Sequence, residues 1–324
     1  MSNKVPSTSE TTVAVVGLGL LGRGIATCLL GNGFRVIGYD RSSESHAVAR
    51  RYIEQGIGEL IEHANFDPSL KQTWKDRYQE PQCFDDFQPC DFVIESIVED
   101  AQIKQEVYEQ IEKVIGPAVP IASNTSAIPI TQLQKTCKHP ERFLGMHWAE
   151  PAHATRFLEL IRGPQTSDET VEVAVSLARR CGKDPVVLAK DSPGFIVNRL
   201  AYAMYREALQ LVEEGVADVE TIDRSFRNAC GLWATMCGPF RWMDLTGGPA
   251  LYAKAMKPVL PTLNNATELP ETMRRLAENN AQGIRNGQVY DYTPEQAEQA
   301  EALFRKHAWN VRRLMDEYFP PEEL

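Results

Sequence analysis

A chain of 324 residues exceeds what one hydrophobic core usually organises, so two domains are expected, and 43% hydrophobic with 24% charged residues fits a globular rather than a disordered or fibrous chain. A formal charge of -10 disfavours nucleic acid and anionic membranes as partners, because both need a basic surface to offset phosphate repulsion. No apolar run is long enough to span a bilayer, and seven scattered cysteines without a CxxC pair fit neither a disulfide framework nor a zinc site, which predicts reduced thiols and a cytoplasmic protein.

Residues 1–10 lack the basic and apolar segments of a secretory signal and read as a disordered lead-in. An apolar strand at 12–16 runs through a glycine-rich turn into an apolar helix at 25–30 and a second strand at 34–39 that ends in Asp40, which makes one βαβ unit. Between 42 and 75 lies a charged insertion with helical spacing, expected to stand out from the domain as a helical arm. Short apolar runs at 92–95, 119–122, 143–147, 157–161 and 185–189 alternate with helical stretches such as 103–114. That alternation predicts an α/β domain over 11–190, a Rossmann-type doubly wound parallel sheet with helices on both faces.

The pattern changes near 190. Ser192 is placed to cap a helix, and Pro193 suits its first position. Leu200, Met204, Ala208 and Leu211 form one apolar stripe closed by Gly215, and Thr293 with Gln296 forms a capping box ahead of a helix carrying Phe304, Ala308, Val311 and Met315 on one side. The second domain, 191–324, is therefore expected to be all-helical.

Gly17, Gly19 and Gly22 follow the first strand and open the first helix, so backbone N–H groups, including those of Leu20 and Leu21, can approach a pyrophosphate at the helix N-terminus. A glycine-rich turn alone is weak evidence; here strand, helix and the acid at the end of the next strand all stand where a dinucleotide requires them. Asp40 is suited to accept hydrogen bonds from the adenosine ribose hydroxyls and to repel a 2′-phosphate, which favours NAD over NADP despite the neighbouring Arg41.

His147 ends one apolar strand, and Glu159 sits inside the next. A glutamate in an apolar strand needs a partner, and an imidazole oriented by it keeps one ring nitrogen for proton transfer. Alcohol oxidation by NAD requires such a base. The alternative from spacing alone is a structural histidine.

The motifs GLGLLGRG, VIESIVED, ASNTSAI, GMHWAEP with the later LELI, and DSPGFIVNRL, in this order, resemble the L-3-hydroxyacyl-CoA dehydrogenase family, whose relatives include lambda-crystallin, gulonate dehydrogenase and carnitine dehydrogenase. The resemblance spans nearly the whole chain and implies that His147 is the general base and Glu159 its partner, with Ser126 and Asn198 hydrogen-bonding the reacting oxygen or the histidine. It places Glu99 and Lys104 near the nicotinamide ribose and Asn124 in the cofactor site, and it implies a homodimer formed by the helical domain. The implied reaction is oxidation of a (S)-3-hydroxyacyl-CoA in fatty acid metabolism, with a free hydroxy acid or a carnitine- or gulonate-like alcohol as the alternative small-molecule substrate. A non-catalytic, crystallin-like NAD-binding protein is a further alternative, as is a decarboxylating β-hydroxyacid dehydrogenase, which relies on a catalytic lysine in a different motif set and against which the His147 and Glu159 arrangement speaks.

Two departures bear on substrate. The family's Phe-Phe-Asn-Pro after the histidine is here Trp148, Ala149, Glu150 and Pro151. Glu150 and Trp148 either receive a cationic part of the substrate, or Trp148 packs in the core while Glu150 faces solvent. The arm, which in CoA-using members turns lysines and a serine toward CoA, here accompanies Arg50 and Arg51 with Glu54, Glu59 and Glu62, which repel an anionic nucleotide.

Overall fold

The computed structural model describes residues 10–281, 283–285 and 289–320; the expected lead-in at 1–9 lies outside them. Eight strands form one sheet: β1 (Thr12–Val16), β2 (Arg35–Tyr39), β3 (Tyr78–Gln79), β4 (Phe92–Glu95), β5 (Ile121–Ser123), β6 (Phe143–Trp148), β7 (Phe157–Arg162) and β8 (Asp184–Leu188). Their order is β3-β2-β1-β4-β5-β6-β7-β8. β1, β4, β5 and β6 are buried along nearly their whole length because both faces of the sheet are covered, and Glu95, Ser123 and His147 are the polar residues at or near their carboxyl ends.

All neighbouring pairs are parallel except β6 and β7, which run antiparallel. The parallel sheet expected from the sequence is thus observed apart from this one pair. Residues 149–156 are too few to hold a crossover helix, so the chain can only turn back on itself.

Helices α1 (Leu20–Gly31), α2 (Ser43–Ala64), α3 (Leu70–Thr73), α4 (Ala101–Ile111), α5 (Ile130–Leu133) and α6 (Asp168–Arg180) accompany the sheet. One core gathers Val107, Tyr108 and Ile111 of α4 and Ile130 and Leu133 of α5 against Ala14, Val16, Val93, Ile121 and Phe143 of the strands. α2 starts at the Ser42 cap, whose hydroxyl accepts the Ser45 N–H at 3.3 Å, and ends at Asn65 in the left-handed conformation. It does not stand clear as the charged sequence suggested. Ala49, Ile53, Gly56, Ile57 and Leu60 are buried on one stripe, and each isoleucine contributes about 1.5–3 kcal/mol by leaving water.

By their backbone packing the two units part after Asn198, a few residues beyond the boundary expected close to 190. Hydrogen bonds from Thr131 N to Asp191 and from Ile196 and Val197 N to Glu159 hold the intervening segment on the sheet unit. The second unit is helical: most of α7 (Val197–Glu213), then α8 (Val219–Ala234), α9 (Pro239–Leu245), α10 (Pro249–Val259), α11 (Glu271–Glu278) and α12 (Pro294–Tyr318). Gly215 closes α7 at φ +70°, and the expected capping box opens α12, with the Thr293 hydroxyl accepting the Gln296 N–H and the Gln296 side chain accepting the Thr293 N–H. No described helix is long and apolar enough to cross a membrane.

Candidate active site

The turn after β1 shows which glycines fold it and which one leaves it open. Gly17 sits at φ +93°, and a Cβ there would lie 2.5 Å from the Ser96 carbonyl oxygen; on Gly22 it would lie 1.8 Å from the Gly17 carbonyl oxygen. A Cβ on Gly19 would meet nothing within 4 Å. The first two glycines are thus required by the protein's own packing, whereas Gly19 leaves a bare approach to the start of α1. Gly19 is the N-cap of α1 and offers no side chain, so the first-turn N–H groups, those of Leu20 and Leu21 among them, face outward without a capping acceptor. This cradle fits a pyrophosphate. Asp40 stands beside it, accepting the Leu18 N–H at 2.9 Å and the Ser42 N–H at 3.0 Å, which fixes its carboxylate at the end of β2.

Three strands along, on the same carboxyl edge of the sheet, the antiparallel β6–β7 register sets His147 directly opposite Glu159. His147 Nδ1 lies 3.0 Å from Glu159 Oε2, and both side chains are buried. A carboxylate only accepts, so Nδ1 carries the hydrogen and Nε2 is left to take a proton. The rings of Phe157 and Phe195 stand 5.6 Å from the imidazole and limit its rotation. The second Glu159 oxygen accepts the N–H groups of Ile196, at 3.1 Å, and Val197, at 3.0 Å.

That contact corrects the sequence reading of Ser192 and Pro193 as a helix start. Gly194 (φ +75°) and Phe195 (φ +55°) both adopt the left-handed conformation, so the chain turns there and α7 begins only at Val197. The turn aims the unpaired N–H groups of the new helix at a buried carboxylate instead of at a serine cap.

Ser126 and Asn198 are also brought together. Asn198 Nδ2 donates to the Ser126 carbonyl oxygen at 2.8 Å, leaving the exposed Ser126 hydroxyl outside that bond. The dyad reaches this pair through the chain, since Glu159 holds the N–H of Val197, the residue before Asn198.

Beneath Ser126 a charge network runs from Glu99, which is partly exposed, to the buried Lys104 and Glu95. One Glu99 oxygen accepts the Thr125 hydroxyl at 2.6 Å and the N–H groups of Ser126, at 2.8 Å, and Ala127, at 3.0 Å. Burial works against the Glu99 carboxylate, but the Thr125 hydroxyl, Lys104 and the Ala127 and Ser126 N–H groups outweigh it and hold its pKa below the usual range. Lys104 is fully buried, 2.6 Å from Glu95 and 3.4 Å from Glu99, and Glu95 also accepts the Tyr108 and Ser123 hydroxyls. Its ammonium is therefore enclosed by protein, with both neighbouring acids offsetting its desolvation. Asn124 joins three strand ends, donating to the Ser96 hydroxyl at 3.0 Å and accepting the Trp148 N–H at 2.9 Å.

Of the two readings of Trp148, the core position is the observed one. Trp148 is buried, and Lys183 Nζ stands 5.0 Å over its ring, so that face is taken. Glu150 does not face solvent: it accepts the Tyr52 hydroxyl at 2.6 Å. Tyr52, His153, Arg23 and Lys183 escaped the sequence reading, as did the bond of Glu59 to His153. Their one sequence signal is the spacing of Tyr52, Gly56 and Glu59 along a single edge of α2.

The fold and this site define a nicotinamide-dependent oxidoreductase of the doubly wound class. Residues 12–192 match the family model for the 3-hydroxyacyl-CoA dehydrogenase NAD-binding domain, and residues 194–292 match the model for its C-terminal domain. The chain belongs to the 3-hydroxyacyl-CoA dehydrogenase family, and with it to the NAD-dependent dehydrogenases that act on CH–OH groups. It is 33% identical over 305 residues to 5-formyl-3-hydroxy-2-methylpyridine 4-carboxylate 5-dehydrogenase of Mesorhizobium japonicum, covering 94% of this chain and 98% of that one. It is 39% identical over 209 residues to a probable 3-hydroxybutyryl-CoA dehydrogenase of Deinococcus radiodurans, covering 64% and 74%. Among solved structures, a 5-formyl-3-hydroxy-2-methylpyridine 4-carboxylic acid 5-dehydrogenase described as an NAD+-dependent dismutase superposes with a TM-score of 0.86 at 32% identity, over 96% of this chain and 99% of that one. The (S)-3-hydroxybutyryl-CoA dehydrogenase of Ralstonia eutropha gives 0.73 at 32% identity, over 88% and 100%.

Proposed function

We propose that this NAD-dependent dehydrogenase oxidises the alcohol carbon of a compact free substrate rather than of an acyl-CoA. The His147–Glu159 pair carries the chemistry. The substrate class rests on the likeness, over nearly its whole length, to an enzyme whose name specifies a free pyridine carboxylate, and on the acids Glu54, Glu59 and Glu62 of α2. The 39% identity to a probable 3-hydroxybutyryl-CoA dehydrogenase favours the acyl-CoA substrate as second reading.

In this account NAD, when bound, accepts the hydride from the alcohol carbon. His147 Nε2 takes the hydroxyl proton, and Glu159 keeps the ring in the required tautomer and stabilises its protonated form. The Ser126 hydroxyl and the Asn198 amide hold the reacting oxygen. Gly17, Gly19 and Gly22, with the N–H groups of Leu20 and Leu21, receive the pyrophosphate, and Asp40 receives the adenosine ribose. Glu99 meets the nicotinamide ribose, Lys104 acts by fixing Glu99, and Asn124 lines the nicotinamide end.

The protein works in the cytoplasm as a homodimer. Support for the dimer comes from the second unit, where Leu232 and Phe240 are 75% and 80% exposed on α8 and α9. A light-scattering mass of one chain contradicts this.

The test follows NADH absorbance with acetoacetate and acetoacetyl-CoA in the reducing direction, and in the oxidising one with L-carnitine, L-gulonate and the formyl pyridine carboxylate, whose formyl group, once hydrated by water, presents the C–H and O–H that oxidation removes. Turnover confined to free compounds is expected; turnover confined to acetoacetyl-CoA returns the protein to the second reading.

A further inference from the structure

We infer that Tyr52 and Glu150 set an upper limit on substrate size, by latching α2 to the loop that leaves the catalytic strand. The inference rests on the free-substrate reading and names the residues that enforce it.

Glu150 lies three positions after His147, at the start of the 149–156 connection, and Tyr52 lies in the middle of α2. Their hydrogen bond of 2.6 Å spans 98 positions of sequence. The Tyr52 phenol is raised far above its usual pKa, first by burial and then by the Glu150 charge, so it stays a donor at every working pH. The Arg23 guanidinium covers the Tyr52 ring at 5.1 Å, and the His153 ring meets it edge-on at 5.9 Å. A second bond runs parallel to the first, from His153 Nε2 to Glu59 Oε2 at 3.0 Å.

Around these bonds the backbones of α1 and α2 and the loop approach as closely as glycine allows. A Cβ on Gly24 would stand 3.1 Å from the Ala152 Cβ and 3.4 Å from Glu150 Oε2; one on Gly56 would stand 2.6 Å from the Thr27 methyl and 3.5 Å from the His153 ring. Lys183 holds the loop from its other side through the carbonyls of Ala152 and Thr155. Cofactor helix, arm and catalytic loop are therefore in van der Waals contact, leaving no gap for an extended chain to pass between them. A compact hydroxy compound needs no such passage.

The experiment compares ethyl acetoacetate with acetoacetyl-CoA, both with NADH, in the wild type and in Tyr52→Phe, Tyr52→Ala and Glu150→Ala. Thermal unfolding confirms that each variant is folded, and Tyr52→Phe, which keeps the ring, guards against loss of the fold in the alanine variants. Wild type preferring the compact ester, with that preference shrinking about 10- to 200-fold in Tyr52→Ala and Glu150→Ala, is the expected result. A compact-ester preference that folded variants leave unchanged overturns the latch alone. A wild type that prefers acetoacetyl-CoA overturns the free-substrate reading first, and the latch with it. If neither ester turns over, free CoA titrated into NADH-saturated protein decides: tighter binding by Tyr52→Ala than by wild type supports the latch, and equal binding overturns it.

Discussion

His147 and Glu159 face each other across the antiparallel β6–β7 pair, Nδ1 to Oε2 at 3.0 Å, while the second Glu159 oxygen holds the first N–H groups of α7. One carboxylate thus orients the base and fixes the entry to the helix that carries Asn198. Glu159→Gln replaces an acceptor-only group by an amide that can donate to His147 in the wrong tautomer. The expected loss in kcat is about 10²–10⁴-fold with little change in NADH affinity. A Glu159→Gln enzyme within threefold of wild type contradicts this assignment.

The Gly19 and Gly22 positions separate folding from binding. Gly22→Ala drives its Cβ into the Gly17 carbonyl and is expected to lower the Tm, whereas Gly19→Ala has open space and is expected to keep it. Both should weaken NADH binding, read by fluorescence titration, because the Gly19 methyl occupies the approach that the cofactor needs. Undiminished NADH affinity in Gly19→Ala contradicts the proposed pyrophosphate site.

Lys104→Met removes the cation from a pocket where Glu95 is fully buried. Leaving that carboxylate short of its charge partner is expected to cost about 3–5 kcal/mol in chemical denaturation. A variant as stable as wild type would show that the network matters little to folding.

Glu99 gives a pH signature. Its pKa is depressed in the folded protein, so its contribution is fully present above its ordinary value of 4.5 and is lost as pH falls through the lower, folded value. Unfolding midpoints measured downward from about pH 5 should fall less steeply in Glu99→Gln than in wild type. Identical slopes contradict the role given to Thr125, Lys104 and the Ser126 and Ala127 N–H groups.

Much of this was legible in the sequence where a signal is local. The glycine turn, Asp40, the dyad strands and the Thr293 capping box are each read within a few residues, because period and turn chemistry act at that range. The antiparallel direction of β7 escaped because apolar strands read alike in either direction; only the shortness of 149–156 betrays it. The start of α7 was misplaced because Ser192 and Pro193 carry helix-start chemistry, while the positive φ of Phe195 is imposed from outside, by Glu159 drawing in the next two N–H groups. The charge of α2 suggested a projecting arm, yet its narrower apolar stripe at Ile53 and Ile57 decided the packing. The Tyr52–Glu150 bond left no local trace, since its partners lie 98 positions apart.

The most direct test of the account is NAD-linked turnover by His147→Gln, which keeps the size of the side chain but cannot serve as the base. The account predicts NADH binding within about threefold of wild type and a kcat lowered at least about 10²-fold on whichever compound the wild type turns over. A His147→Gln enzyme that retains wild-type kcat contradicts it.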